Sequence, residues 1–137
     1  MRKNTILWAD DDADDLQMMR EILIKNESSF EIIEVHNGKD ALEHLQHLCE
    51  SSSLPCLVIL DINMPVMDGK ETLSIIKQTQ EYKSLPVVVF TTSDSELDKL
   101  YCKRLGVEMI TKPPSFRTLE STVLKLLSFC NWNGKSR

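Results

Sequence analysis

Apolar residues in this chain follow two alternating rhythms. Short, nearly unbroken runs occur at residues 5–9 (TILWA), 30–35 (FEIIEV), 56–60 (CLVIL), 85–91 (LPVVVFT) and 108–111 (EMIT), and each reads as a strand. Between them apolar positions recur every three or four residues. Leu16, Met19 and Leu23 do so within 13–25, and Ala41, Leu42, Leu45 and Leu48 within 39–48, after the turn signal Asn37-Gly38. Further helices are predicted from Gly69 to about Thr79, over 95–105 with Gly106 as a C-terminal cap, and from Ser115 to about Cys130.

Five strands alternating with five helices predict a parallel sheet covered on both faces. The strands at 5–9, 56–60 and 85–91 carry almost no polar residue, as buried parallel strands require. At 137 residues the chain is too short for an eight-fold barrel, so the expected fold is α/β, an open doubly wound sheet. One domain is expected over 1–130, followed by a short tail at 131–137 and no output domain.

Composition narrows the classes. Apolar residues make up 42% and charged residues 27%, the profile of a soluble globular protein. No apolar run approaches the ~20 residues that span a bilayer, and the N-terminus lacks the hydrophobic region of a signal peptide. A net charge of −5 argues against a nucleic-acid surface, so neither nucleic acid nor membrane is expected as a partner. Cys49, Cys56, Cys102 and Cys130 show no paired spacing and are read as reduced structural thiols of a cytoplasmic protein.

The chemistry collects at the strand ends, where a doubly wound sheet binds its ligands. The first strand ends in Asp10, Asp11 and Asp12, the third in Asp61, the fourth in Thr91 and Thr92, and the fifth in Lys112-Pro113. Carboxylates this close repel unless a cation intervenes. A hard divalent cation with oxygen ligands meets that need, and Mg²⁺ keeping several waters fits a small open cluster. One carboxylate is then free to attack a phosphoryl group, with Lys112 neutralising the phosphoryl oxygens and Thr91 donating a hydrogen bond to one of them. Asp12 is placed to cap the following helix, and Asp14 and Asp15 read as acids of its first turn. His44 and His47, at i, i+3, read as solvated rather than metal-binding, and His36 carries no signal.

An acidic pair, an Asp, a Thr and a Lys-Pro at successive strand ends, with "DINMPVMDG" after the third strand, resemble the receiver domain of bacterial two-component response regulators. The likeness covers nearly the whole chain, and "FTTSD" is similar to stand-alone members, including those paired with phytochrome-type kinases. The resemblance implies the flavodoxin-like strand order 2-1-3-4-5. It implies that Asp61 accepts a phosphoryl group from the phosphohistidine of a sensor histidine kinase or phosphotransfer protein, and that a downstream protein reads the result. The chain would catalyse only its own phosphorylation and dephosphorylation. Asp11 and Asp61 would ligate Mg²⁺ directly, Asp10 through water and Asn63 through its backbone carbonyl. Lys112 would bridge Asp61 and the phosphoryl oxygen, aimed by a cis bond to Pro113. Thr91 would start the conformational response. Three residues before the lysine, Met109 stands where the family carries Tyr or Phe, a change that leaves the chemistry intact and alters the switch.

Three other readings are expected to leave different marks. A haloacid-dehalogenase-type phosphatase would need a late acidic pair that is absent, and a flavodoxin would need a hydroxyl- and glycine-rich loop after the first strand. A receiver-like module that binds without phosphorylation would have lost a key residue, and none is lost. At 100° per residue the last helix places Phe116, Leu119, Val123, Leu126, Leu127 and Cys130 on one face and Phe129, joined by Trp132, on the other. Phe129 and Trp132 are therefore expected to form a partner surface. Homodimerisation is expected through the fourth helix, the fifth strand and the last helix, as the resemblance implies.

Overall fold

The computed structural model describes residues 4–130. Five strands and five helices alternate: β1 Thr5–Ala9, α1 Ala13–Lys25, β2 Glu31–Val35, α2 Gly38–Glu50, β3 Leu57–Leu60, α3 Gly69–Gln78, β4 Val87–Thr91, α4 Glu96–Arg104, β5 Glu108–Thr111 and α5 Phe116–Leu127. All pairings are parallel, and the strand order is β2-β1-β3-β4-β5. That is the doubly wound, flavodoxin-like order, with its reversal between β1 and β3.

The period-two alternation of the strands sorts the core into two layers. Leu7, Ala9, Val58, Leu60, Val87 and Val89 pack with residues of α2, α3 and α4, including Leu45, Leu73, Ile76 and Cys102. Ile6, Trp8, Leu57, Ile59, Val88 and Phe90 pack with Leu16, Met19 and Ile22 of α1 and with Leu119, Val123 and Leu126 of α5. Each helix starts on a side-chain cap. Asp12, Asn37, Asp68, Ser95 and Ser115 each accept a hydrogen bond from a backbone N–H of the first turn. Gly106, at φ +72°, closes the end of α4 in the left-handed conformation that glycine adopts without strain.

Two expectations are corrected at the C-terminal end. The α-helix stops at Leu127, and the Ser128, Phe129 and Cys130 N–H groups donate to carbonyls three residues back. That tighter turn advances ~120° per residue, so a 100° projection misplaces Phe129. Phe129 is half-buried and packs against the α1–α5 layer instead of facing solvent. Trp132, the side chain of Phe116 and the tail from 131 to 137 lie outside the described residues.

The cysteines also depart from expectation. Cys56, before β3, and Cys130, after α5, form a disulfide with Cα atoms 5.0 Å apart, at a sequence separation of 74. Cys49 and Cys102 are free thiols. The pairing was invisible in sequence because only the packing of α5 on β3 brings the two ends together. It also removes reduced thiols as an argument for a cytoplasmic location. Among the described residues no helix is long and apolar enough to cross a membrane.

Closing so long a loop restricts the unfolded chain strongly. Cys130→Ser, or full reduction, is expected to lower unfolding stability by about 2–4 kcal/mol, read from urea midpoints with and without reductant. Identical midpoints would show that the cross-link contributes nothing.

Candidate functional site at the carboxyl ends of the strands

The strand ladders continue one residue past the strands and fix the site's backbone. Asp10 N donates to Val35 O at 3.0 Å, Asp61 N to Ala9 O at 3.0 Å, and Lys112 N to Thr91 O at 2.7 Å. Ala9 pairs with Leu60, so the next residues on the two strands, Asp10 and Asp61, lie side by side. Both share the parity of Trp8 and Ile59, and Lys112 that of Ile110, so all three belong to the α1–α5 side. Thr91 has the opposite parity, with Val87 and Val89, and is fully buried.

Lys112 is the hub. Its Nζ lies 2.6 Å from Asp10 Oδ2, 2.8 Å from Asp15 Oδ2 and 3.2 Å from Asp61 Oδ2. The ammonium also stands 5.9 Å from the centre of the Phe90 ring. Burial alone would lower the Lys112 pKa, but hydrogen bonds to Asp10 and Asp15 override it and hold the group above its ordinary value. Asp10 is pushed up to about 6, because burial outweighs the hydrogen bonds it accepts from Lys112 and the Asp12 N–H.

One ammonium thus faces more negative charge than it neutralises. Oxygens of Asp10, Asp11 and Asp61 lie within 4.8 Å of one another. Asp10 has both oxygens engaged, whereas the buried Asp61 Oδ1 has no hydrogen-bond partner. A buried carboxylate oxygen without a partner costs several kcal/mol unless something fills the position. The donor set, all hard oxygens, fits a divalent ion.

The loop after Asp61 is held tightly. Met67 N donates to Pro65 O at 2.6 Å, which closes a three-residue turn and forces Val66 to φ +67°, a strained state for a β-branched residue. At Gly69 a Cβ would stand 2.1 Å from the Asp61 carbonyl oxygen, so only glycine lets α3 begin against the end of β3. Asn63 lies in this loop, exposed, two residues beyond Asp61. Asp68 caps α3 through Glu71 N and does not join the cluster.

Family comparison decides what the cluster belongs to. The family described as "Response regulator receiver domain" matches residues 6–124. The chain belongs to the receiver family. It is 35% identical over 127 residues to response regulator Rcp1 of Synechocystis, covering 90% of this chain and 86% of that protein. The crystal structure of the Mn(2+)-bound form of Rcp1 superposes with a TM-score of 0.83 at 34% identity, covering 94% of this chain and 96% of the other. The phosphorylated cyanobacterial phytochrome response regulator RcpA superposes at 0.86 and 29% identity, covering 98% of each chain. Membership in this family sets aside the flavodoxin and dehalogenase readings.

The receiver's predicted residues are therefore placed as follows. Asp10, Asp11, Asp61 and Lys112 come together at one site. Thr91 stands on the adjacent strand, its Oγ1 accepting from Ser93 N at 3.2 Å. Met109 is half-buried and packed into the α2–α4 layer, paired with Val89. The bond to Pro113 is trans, since no described peptide bond is cis. Lys112 needs no such bond to reach the site, because the ladder to Thr91 already sets its origin. Sequence reasoning missed Asp15, which it read only as a first-turn acid. Its position one turn after Asp11, on the helix packed beside Lys112, was the available signal.

Trp8 lies buried two residues before Asp10, so Mn²⁺ at the cluster should quench it. In a Trp132→Phe background, Mn²⁺ titration should quench the emission saturably, and Asp11→Ala should abolish that quenching. Saturable quenching that survives Asp11→Ala would place the ion elsewhere.

Proposed function

We propose that this receiver accepts a phosphoryl group on Asp61 and signals through protein contacts, with Mg²⁺ as its resident ion. The observation that carries this reading is Asp61 Oδ1: buried, without a hydrogen-bond partner, and flanked by Asp10, Asp11 and Lys112. Asp11 and Asp61 would hold the ion by their side chains, Asp10 through water and Asn63 through its carbonyl. When bound, the ion supplies charge neutralisation for the phosphoryl oxygens.

The chain's own residues account for the rest. A lone pair on an Asp61 carboxylate oxygen attacks phosphorus, the P–N bond to the donor imidazole breaks, and that nitrogen keeps the electron pair. Lys112, already 3.2 Å from Asp61 Oδ2, turns an N–H to the incoming phosphoryl oxygen. Thr91 accepts from Ser93 N, which leaves its hydroxyl proton free to be donated to another phosphoryl oxygen. The donor is the phosphohistidine of a sensor kinase or phosphotransfer protein, in keeping with the phytochrome regulator among the relatives. The chain acts only on itself, and a cytoplasmic location belongs to this reading.

The response runs from Thr91 toward α4. Ser93 Oγ donates to Asp98 Oδ2 at 2.6 Å, Asp98 pairs with Lys70 of α3, and Tyr101 OH donates to Lys70 O at 2.8 Å. Lys70 and then Ser93 hold the Asp98 carboxyl below its ordinary range. That stabilisation is complete above the ordinary carboxylate pKa and is lost only as pH falls through the lowered value, so the tether is closed at neutral pH. Met109 lies on the same side of the sheet as Thr91 and supplies a deformable side chain there. Leu97 and Leu100 of α4 and Leu124 of α5 are exposed. With Phe129 packed inward, they support the α4–β5–α5 face as the surface for a homodimer or a target.

Acetyl phosphate or phosphoramidate with Mg²⁺ should add one phosphoryl mass, labile to hydroxylamine and absent in Asp61→Asn. An unlabelled wild type, or a labelled Asp61→Asn, overturns the reading. Thr91→Ala and Asp98→Ala should both be labelled, yet each should lose the amide-exchange changes in α4 that labelling produces in the wild type. Met109→Tyr should be labelled like the wild type and show altered exchange in α4; identical exchange would remove position 109 from the switch.

A further inference from the structure

An ammonium has three N–H bonds, and Lys112 directs them toward three carboxylates: Asp10, Asp15 and Asp61. Two of these belong to the cation cluster. Asp15 does not, because among the described residues only Asp10, Asp11 and Asp61 bring their oxygens within 4.8 Å of one another. Asp15 is also the most exposed of the three partners, its side chain 29% accessible against 2% and 9% for Asp10 and Asp61. Its charge is therefore the least costly to keep outside the metal's reach.

A cation at the cluster changes the forces on Lys112. It neutralises Asp10 and Asp61 and repels the ammonium, while the lysine's four-carbon stem is flexible enough to swing away. A cavity of about 60 Å³, lined by Trp8, Asp15, Met18, Phe90, Lys112 and Pro113 among others, gives the stem room to shift. Asp15 is the one partner whose attraction the cation leaves intact.

We propose that Asp15 is the positioning residue of Lys112, holding the ammonium beside Asp61 when Asp10 and Asp61 turn to a divalent cation. The Asp15 bond persists while one N–H passes from Asp61 to a phosphoryl oxygen. This assignment rests on the phosphoryl-accepting reading above. It gives the first turn of α1 a role in transfer that its neighbours Asp12 and Asp14 do not share.

The test compares Asp15→Ala with Asp15→Asn, whose amide oxygen keeps the acceptor without the charge. With phosphoramidate at saturating Mg²⁺, Asp15→Ala should lower the limiting labelling rate about tenfold, and Asp15→Asn should recover most of it. The Mg²⁺ half-saturation should stay unchanged, because Asp15 is not a ligand. In a Lys112→Ala background, Asp15→Ala should cause no further loss. Independently of labelling, the ¹⁵Nζ ammonium cross-peak of Lys112 in Mg²⁺ should be present in wild type and Asp15→Asn and absent in Asp15→Ala. A cross-peak unchanged in Asp15→Ala, or an equal loss of rate in the Lys112→Ala background, overturns the assignment. Failure of the phosphoryl reading itself would appear as an unlabelled wild type, and the ammonium cross-peak would still decide Asp15.

Discussion

The arrangement of this protein turns on a single buried ammonium set among more carboxylates than it can neutralise. Lys112 reaches Asp10, Asp15 and Asp61 at once, and its side chain is only 7% exposed. Such a cluster is costly in a low-dielectric interior unless its charges are closely matched. Here they are unmatched by design of position: Asp11 adds a further carboxylate, and one oxygen of Asp61 has no partner. The imbalance and the unpartnered Asp61 oxygen are what make the site receptive to a divalent ion.

The sheet makes this cluster possible. Parallel strands all end at the same edge, and the reversal of order between β1 and β3 leaves a crevice there. Strong apolar burial on both faces fixes the strands, and backbone hydrogen bonds carry that rigidity to Asp10, Asp61 and Lys112. A site that must hold like charges close together needs such a frame, because side-chain contacts alone would let the carboxylates separate. Thr91, of opposite parity, connects the same edge to the other layer, where Ser93, Asp98, Lys70 and Tyr101 join α3 to α4.

Much of this was legible in the chain itself. β1, α1 and β5 were predicted to the residue, and most other ends lay within two residues, because apolar runs and helical spacing state burial directly. The four receiver positions were legible because each directly follows, or in the case of Thr91 closes, a strand whose limits the pattern fixed. α5 was read two to three residues too long. Its terminal turn tightens, and a helical projection cannot register a change of pitch that no proline or glycine marks.

Legible in the chain were the alternation of strands and helices, the caps at Asp12 and Gly106, and which residue ends each strand. Tertiary structure alone decided which groups meet across long separations. Cys56 and Cys130 are joined because α5 docks beside β3, and Phe129 turns inward because that docking ends in a tight turn. Asp15 reaches Lys112 across 97 positions because α1 and β5 share one face of the sheet. Local patterning sets each segment's own conformation and apolar face. The pairing of side chains between segments depends on packing distances of a few ångströms, which no periodicity in the chain encodes.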